Sequence, residues 1–445
     1  MQAQRATRRF PIAAVVVAGI VLVGGVVLAG RWVLTRPKSP STAAGPAVFA
    51  RYGAGVASDG VLSGHISATT AWSFQAHRPL LMASEAAGRV YAVSVGMAWP
   101  QDQHGTVYAL GAAHGRLLWK TRLANWIMTA PVVAHGRVFV GAGNQYFNPA
   151  NNRRENDLTS THLVRGIGPN AIYALSARTG QVLWTLPTRG EDMPTFVYHH
   201  GAVLAANGAG DVFAVDAATG HRLWSTHIGS YVSMASPVLW HNELIVAGAH
   251  PYAVYGVNPD TGKLLWRHLL PQVIAGLDDS SLAAGGGHVY TLATIGSWTD
   301  PAVQVYAFSP TGHLDWSRTF TAPRPTGHLP LYIEVGAPVY RHGTVYVGSP
   351  ITDEEMALQA DTGHVIWQRR MSAPVTSTAL VAHGVVVVPV ANGRVTALSA
   401  ATGRLLRSTS FGGQFSATYP LLLEHTLYLT NLDGQVLAVP WRRVT

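Results

Sequence analysis

Residues 215–224 read VDAATGHRLW, a short apolar run, a Thr-Gly turn and a second apolar run that reaches Trp224. Nearly the same phrase stands at 175–184 as LSARTGQVLW and at 257–266 as VNPDTGKLLW. A Gly followed four residues later by Trp occurs at Gly115/Trp119, Gly180/Trp184, Gly220/Trp224, Gly262/Trp266, Gly312/Trp316 and Gly363/Trp367. Gly403 carries Arg407 in the Trp place, and Trp72 in TTAWSF is a further copy without its turn. The Gly supplies the positive φ of a tight turn, and Thr, Asp or Asn bonds the turn backbone. Trp then offers a large apolar plate to a neighbouring sheet while its N–H reaches a partner.

Upstream of each turn lie three more strand-like runs, so that one unit is four short strands in about 40 residues, the spacing of a propeller blade. Units begin near residues 80, 126, 191, 232, 277, 333, 375 and 415, which gives eight blades. The last unit supplies only three strands, and the segment around Trp72 offers the fourth. The expectation is an all-β, eight-bladed β-propeller of four-stranded antiparallel blades, closed by an N-terminal strand, which removes two exposed sheet edges.

Outside the repeat, IAAVVVAGIVLVGGVVLAG (12–30) carries no charge. Its 19 residues span about 28 Å as a helix at ~1.5 Å each, close to the hydrocarbon thickness of a bilayer. It is longer than the apolar core of a cleaved signal and is followed by Arg31 and Trp32, an interfacial anchor pattern. The domain reading is an N-terminal membrane anchor at 1–36, a Pro/Gly/Ala/Ser-rich linker at 37–64 and the propeller at 65–445. One transmembrane helix thus precedes a propeller on the extracytoplasmic side.

The 445 residues carry a net charge of +9, but residues 1–38 hold six cations and no acid. The remaining 407 residues are therefore nearly balanced and lack a basic patch interleaved with aromatics, which argues against a nucleic-acid partner. There is no Cys, which excludes disulfides, Cys-ligated zinc and thiol catalysis.

The phrases AVDAATGHRLW, ALSARTGQVLW and GVNPDTGKLLW resemble the repeat of the PQQ-type β-propellers over roughly residues 65–445. That superfamily contains quinoprotein alcohol dehydrogenases, BamB-type outer-membrane assembly proteins and tetrathionate hydrolases. Its members share blades and not chemistry, so the function must come from the site.

Two loops between middle strands are long, 143–170 and 296–304, and long insertions in a repeat array mark its working face. The first carries Arg153, Arg154 and Arg165, candidate ligands for a small anion. With the blades aligned on Gly136, Gly201, Gly287 and Gly343, the position nine residues earlier holds Ile127, Asp192, Asp278 and Glu334. Three carboxylates at one repeat position, in a chain with 22 acids, point to the mouth of the central channel. Asp279 adjoins Asp278, and strand alternation would turn only one of the two inward. Carboxylates gathered there need a cation, arginines or shared protons. The histidines of the HG turns, His135, His200, His342 and His383, are explained by repeat position, and a histidine metal site is not expected.

Three functions follow from the resemblance. A PQQ-dependent dehydrogenase would combine the quinone, Ca²⁺ and commonly a vicinal disulfide, which this chain cannot form. A tetrathionate hydrolase-type enzyme would need a cationic pocket for a polyanion and a general acid, for which Asp278 is the candidate. A membrane-tethered binding or assembly scaffold, with the loop face holding a protein or ligand, is the leading expectation. BamB-type members are anchored through a lipidated Cys, absent here.

Overall fold

The computed structural model describes residues 61–62, 71–96, 102–147, 163–321 and 336–445. These form the eight four-stranded antiparallel blades of a β-propeller. Blade three is representative, running Val197–His199, Ala202–Ala206, Asp211–Asp216 and Arg222–His227 from channel to rim. Its middle strands are buried along almost their whole length because both faces pack against neighbouring blades, whereas the rim strand alternates between exposed and half-buried. The hydrophobic pattern follows, with apolar runs in the middle and alternation at the edge.

The first hairpin of a blade turns through His-Gly with both residues left-handed, as at His135 (φ 46°) and Gly136 (φ 74°). That is the two-residue hairpin turn whose twist suits the flanking strands. In the last hairpin, Ala214 faces Trp224 and Val215 faces Arg222, so Leu223 is an extra, bulged residue. The same shift recurs before Trp119, Trp184, Trp266, Trp316 and Trp367. The bulge re-aims the Trp onto the next blade. Trp119 Nε1 donates to the carbonyl of Ala177 at 3.1 Å, in the turn of blade two. That turn receives the indole at Gly180 (φ +75°), where a Cβ would come within 2.5 Å of the Trp119 ring. Glycine is therefore required twice over, for its backbone and for the space above it.

Ring closure follows the sequence reading. Blade eight is built from Leu421–Leu423, Thr426–Thr430 and Gln435–Pro440, with Trp72–Gln75 as its rim strand. Trp72 packs over Gly115 of blade one and donates to the Ala112 carbonyl at 2.8 Å, so it is the seventh Trp of the set. Blade seven has Arg407 in place of Trp, and blade eight, ending in the short helix Trp441–Arg443, has no glycine turn to receive an indole. Val61–Leu62 pairs in parallel with Leu422 and Leu423 at the inner edge of blade eight. Among the described residues no helix is long and apolar enough to cross a membrane; the anchor assigned to residues 1–36 lies outside them.

Candidate functional site

One face of the ring carries the loops between middle strands and the links from each rim strand to the next blade. Three of these segments are knotted by a cycle of backbone bonds. Arg165 N–H donates to the Gly208 carbonyl at 2.8 Å, Gly208 N–H to that of Glu191 at 2.8 Å, and Glu191 N–H to that of Arg165 at 2.9 Å. Blade two's long loop, the link to blade three and blade three's own loop are thereby fixed to one another. A Cβ on Gly208 would stand 2.3 Å from Glu191 Oε2 and 2.9 Å from Arg165 Cβ, so any other residue here would displace the Glu191 carboxylate.

The knot presents Arg165. Its Nε lies 3.2 Å from Glu191 Oε1 and its guanidinium 3.8 Å from Asp278 Oδ2. The guanidinium is 5.6 Å from the ring centres of both Phe147 and Tyr231. Such aromatic faces favour a cation. Tyr231 stacks on His250 at 5.6 Å, and His250 lies against Tyr252 at 5.1 Å. Tyr252 Oη donates to the Ile274 carbonyl at 2.8 Å, tying blade four's loop to the segment that carries Asp278.

Glu191 is fully buried, and burial raises its carboxyl well above the ordinary range, opposed by Arg165 and reinforced by Asp192, Asp278 and Asp279. Arg165 is held charged: Glu191 first, then Tyr231, Asp279 and Asp278, outweigh the cost of its burial. One guanidinium facing the carboxylates of Glu191 and Asp278, with Asp279 nearby, leaves an excess of negative charge, which a proton shared among these acids relieves. The site can thus hold a buried cation beside a proton-bearing acid.

The residues singled out in the sequence are distributed unevenly around this centre. Asp278 and Arg165 are brought together. Asp279 is half-buried, and both acids belong to a turn tied by Ser280 N–H to the Gly276 carbonyl at 2.9 Å. Strand alternation therefore does not apply to the pair, and both act electrostatically on Arg165. Asp192 is buried, and its Oδ2 accepts a short hydrogen bond from Thr188 Oγ1 within its own loop. Burial raises it to about 8, opposed by Thr188 and Asn207. Its neighbour Glu191, not Asp192, meets Arg165. Repeat alignment misses it by one residue; the signal was the acid pair in RGEDM (189–193) of an acid-poor chain. Phe147, Tyr231 and Tyr252 carried no chemical signature in the sequence. Glu334, Arg153 and Arg154 lie outside the described residues.

The sequence profile of a PQQ-like repeat family described as outer membrane protein assembly factor BamB matches residues 58–155, 168–350 and 352–440. The chain belongs to this family. The tetrathionate hydrolase of Acidithiobacillus ferrooxidans is 29% identical over 365 residues, 79% of this chain and 72% of that protein. The outer membrane protein assembly factor BamB of Yersinia pestis is 23% identical over 360 residues, 76% of this chain and 80% of that protein. In fold, the chain is similar to the crystal structure of BamB from Moraxella catarrhalis, with a TM-score of 0.59, 16% identity, and 82% of this chain and 98% of that one covered.

Membership of a PQQ-like family raises the question of whether the quinone and Ca²⁺ fit. Ca²⁺ takes six to eight oxygen ligands and would draw on the acids at the channel mouth. Here Glu191 and Asp278 already face Arg165, whose charge repels a second cation. Among the described residues this donor set does not fit Ca²⁺.

Proposed function

We propose that this family member is a hydrolase for a small sulfur oxyanion of the tetrathionate class. The observation that carries the reading is the buried guanidinium of Arg165, held between aromatic faces and in ion-pair reach of Asp278. Arg165 would bind one sulfonate end, since a guanidinium offers several donors in a fixed fork. Arg153 and Arg154, in the same loop, would bind the other end. Asp278 would give its proton to the departing sulfur as a water oxygen bonds to the sulfonate sulfur and the S–S bond breaks, and a proton released by that water would restore Asp278. Glu191, deeper in the fold, would fix Arg165 rather than touch the substrate. The 29% identity to a tetrathionate hydrolase supports the same reading. Residues 1–36 would tether the propeller to the outer face of the cell membrane, with 37–64 as the linker.

The second reading is a binding or assembly scaffold, favoured by the family profile and by the match to BamB of Yersinia pestis. One experiment separates them. The purified chain is incubated with tetrathionate at acid pH and substrate loss is followed. Turnover is expected, with Asp278→Asn lowering kcat by about 10²–10⁴-fold, the range for a lost general acid. A folded wild-type protein without turnover would remove the hydrolase and leave the scaffold.

A further inference from the structure

We propose that His199, His200 and Asp260 form a site for one divalent transition-metal ion of the zinc class, clamping blade three to blade four on the face opposite the Arg165 cluster. His199 ends the inner strand of blade three, and His200 (φ 45°) opens its hairpin turn. Asp260 belongs to the NPDTG turn of blade four, whose backbone is held by Asn258: its Oδ1 accepts from Asp260 N–H at 3.1 Å and Thr261 N–H at 2.9 Å. That turn therefore does not depend on the Asp260 carboxylate.

The three donors converge across the blade boundary. His199 Nε2 lies 3.2 Å and His200 Nδ1 3.7 Å from Asp260 Oδ1, and one ligand atom from each residue falls within 4.8 Å of the others. Ligands on a tetrahedral ion with bonds of 2.0–2.2 Å sit about 3.4 Å apart, so these two separations bracket the required one. The imidazole rings are 3.8 Å apart. Two imidazoles and a carboxylate are a borderline donor set that suits Zn²⁺ and its neighbours rather than Ca²⁺ or Mg²⁺. His200 and Asp260 are exposed, which leaves an entry path and room for water in the remaining coordination position.

Repeat chemistry explains only one of the three residues. His200 occupies the place that His135, His342 and His383 hold in other blades. The place of His199 is taken elsewhere by Ala134, Trp240, Arg341 and Ala382, and that of Asp260 by Arg178, Ala218 and Ala401. Asp361 repeats Asp260 in blade six, but the places of His199 and His200 are held in blade five by Gly285 and Gly286. The His-His-Asp set is the one such group among the described residues.

The test is calorimetric titration of the tag-free full-length chain with Zn²⁺ alone, beside thermal melts with and without it. The expected result is saturation at one ion per chain with a raised Tm. His199→Gln and Asp260→Asn should each weaken binding at least tenfold and abolish the Tm shift, while Asp361→Asn binds like wild type. His199 ends an inner strand and is half-buried while Asp260 is exposed, so the melts in chelator report whether each variant remains folded. Absence of saturable binding, or binding in either variant equal to wild type, would overturn the site.

Discussion

A buried carboxyl with nothing to face is a statement about pH. Glu355, in the strand Glu354–Gln359 of blade six, is fully buried and neither side-chain oxygen has a hydrogen-bond partner among the described residues. Burial alone raises it to about 8. Asp192, at about 8, and Glu85, at about 7, are raised for the same first cause. Between the ordinary carboxyl range and these values, the folded chain keeps protons that the unfolded chain has released. Stability is then fully present below about pH 4 and falls as pH rises through about 8, by up to ~1.4 kcal/mol per pH unit for each group. The Tm of wild type is expected to drop between pH 5 and pH 8, and Glu355→Gln to drop less and to melt higher at pH 8. A wild-type Tm that is flat or rises over that interval would contradict this. A protein whose buried acids favour low pH also suits the acid conditions chosen for the tetrathionate assay.

The unit of construction is the glycine turn that receives the indole of the preceding blade. Gly180 and Gly136 share nearly the same left-handed φ, +75° and +74°, but differ in surroundings. A Cβ at Gly136 meets nothing within 4 Å, whereas at Gly180 it meets the Trp119 ring at 2.5 Å and Thr121 Oγ1 at 2.7 Å. Gly136→Ala should therefore cost only the backbone strain of about 1–2 kcal/mol. Gly180→Ala should add an overpacking cost of about 1–3 kcal/mol. Urea unfolding of the two variants measures the difference, and equal losses would show that the indole contact yields without resistance. The pairing also explains the exposed Leu118, Leu183 and Leu223, whose places coincide with the bulge that aims each Trp.

At the scale of the ring, stability depends on one strand that is remote in sequence from its partner. Trp72–Gln75 pairs with Gln435–Pro440 and closes blade eight. Without it, the strand edge is bare and the turn at Gly115 loses its indole. Deletion of residues 65–75 is expected to lower Tm far more than deletion of 39–60, which leaves this pairing intact. Equal melting of the two truncations would mean that the closing strand contributes nothing. The candidate site likewise depends on blade order, because it joins the loops of blades two, three and four to the segment entering blade five.

The sequence by itself determined the blades: their number, their strand order, the turn chemistry and the closing role of Trp72. These are local features written repeatedly, and a Gly-to-Trp spacing has the same steric meaning in every copy. The site was legible only in part. Arg165 and Asp278 could be singled out from loop length and repeat position, but the choice between Glu191 and Asp192 turns on which of two adjacent side chains faces the guanidinium. Repeat alignment cannot carry that information, since both residues lie in the irregular link before the inner strand, where no fixed alternation sets the direction of a side chain. The aromatic walls at Phe147 and Tyr231 and the His199–His200–Asp260 group lie beyond it for a related reason. Each joins residues from different blades, and only the tertiary packing of one blade on the next brings their atoms within reach.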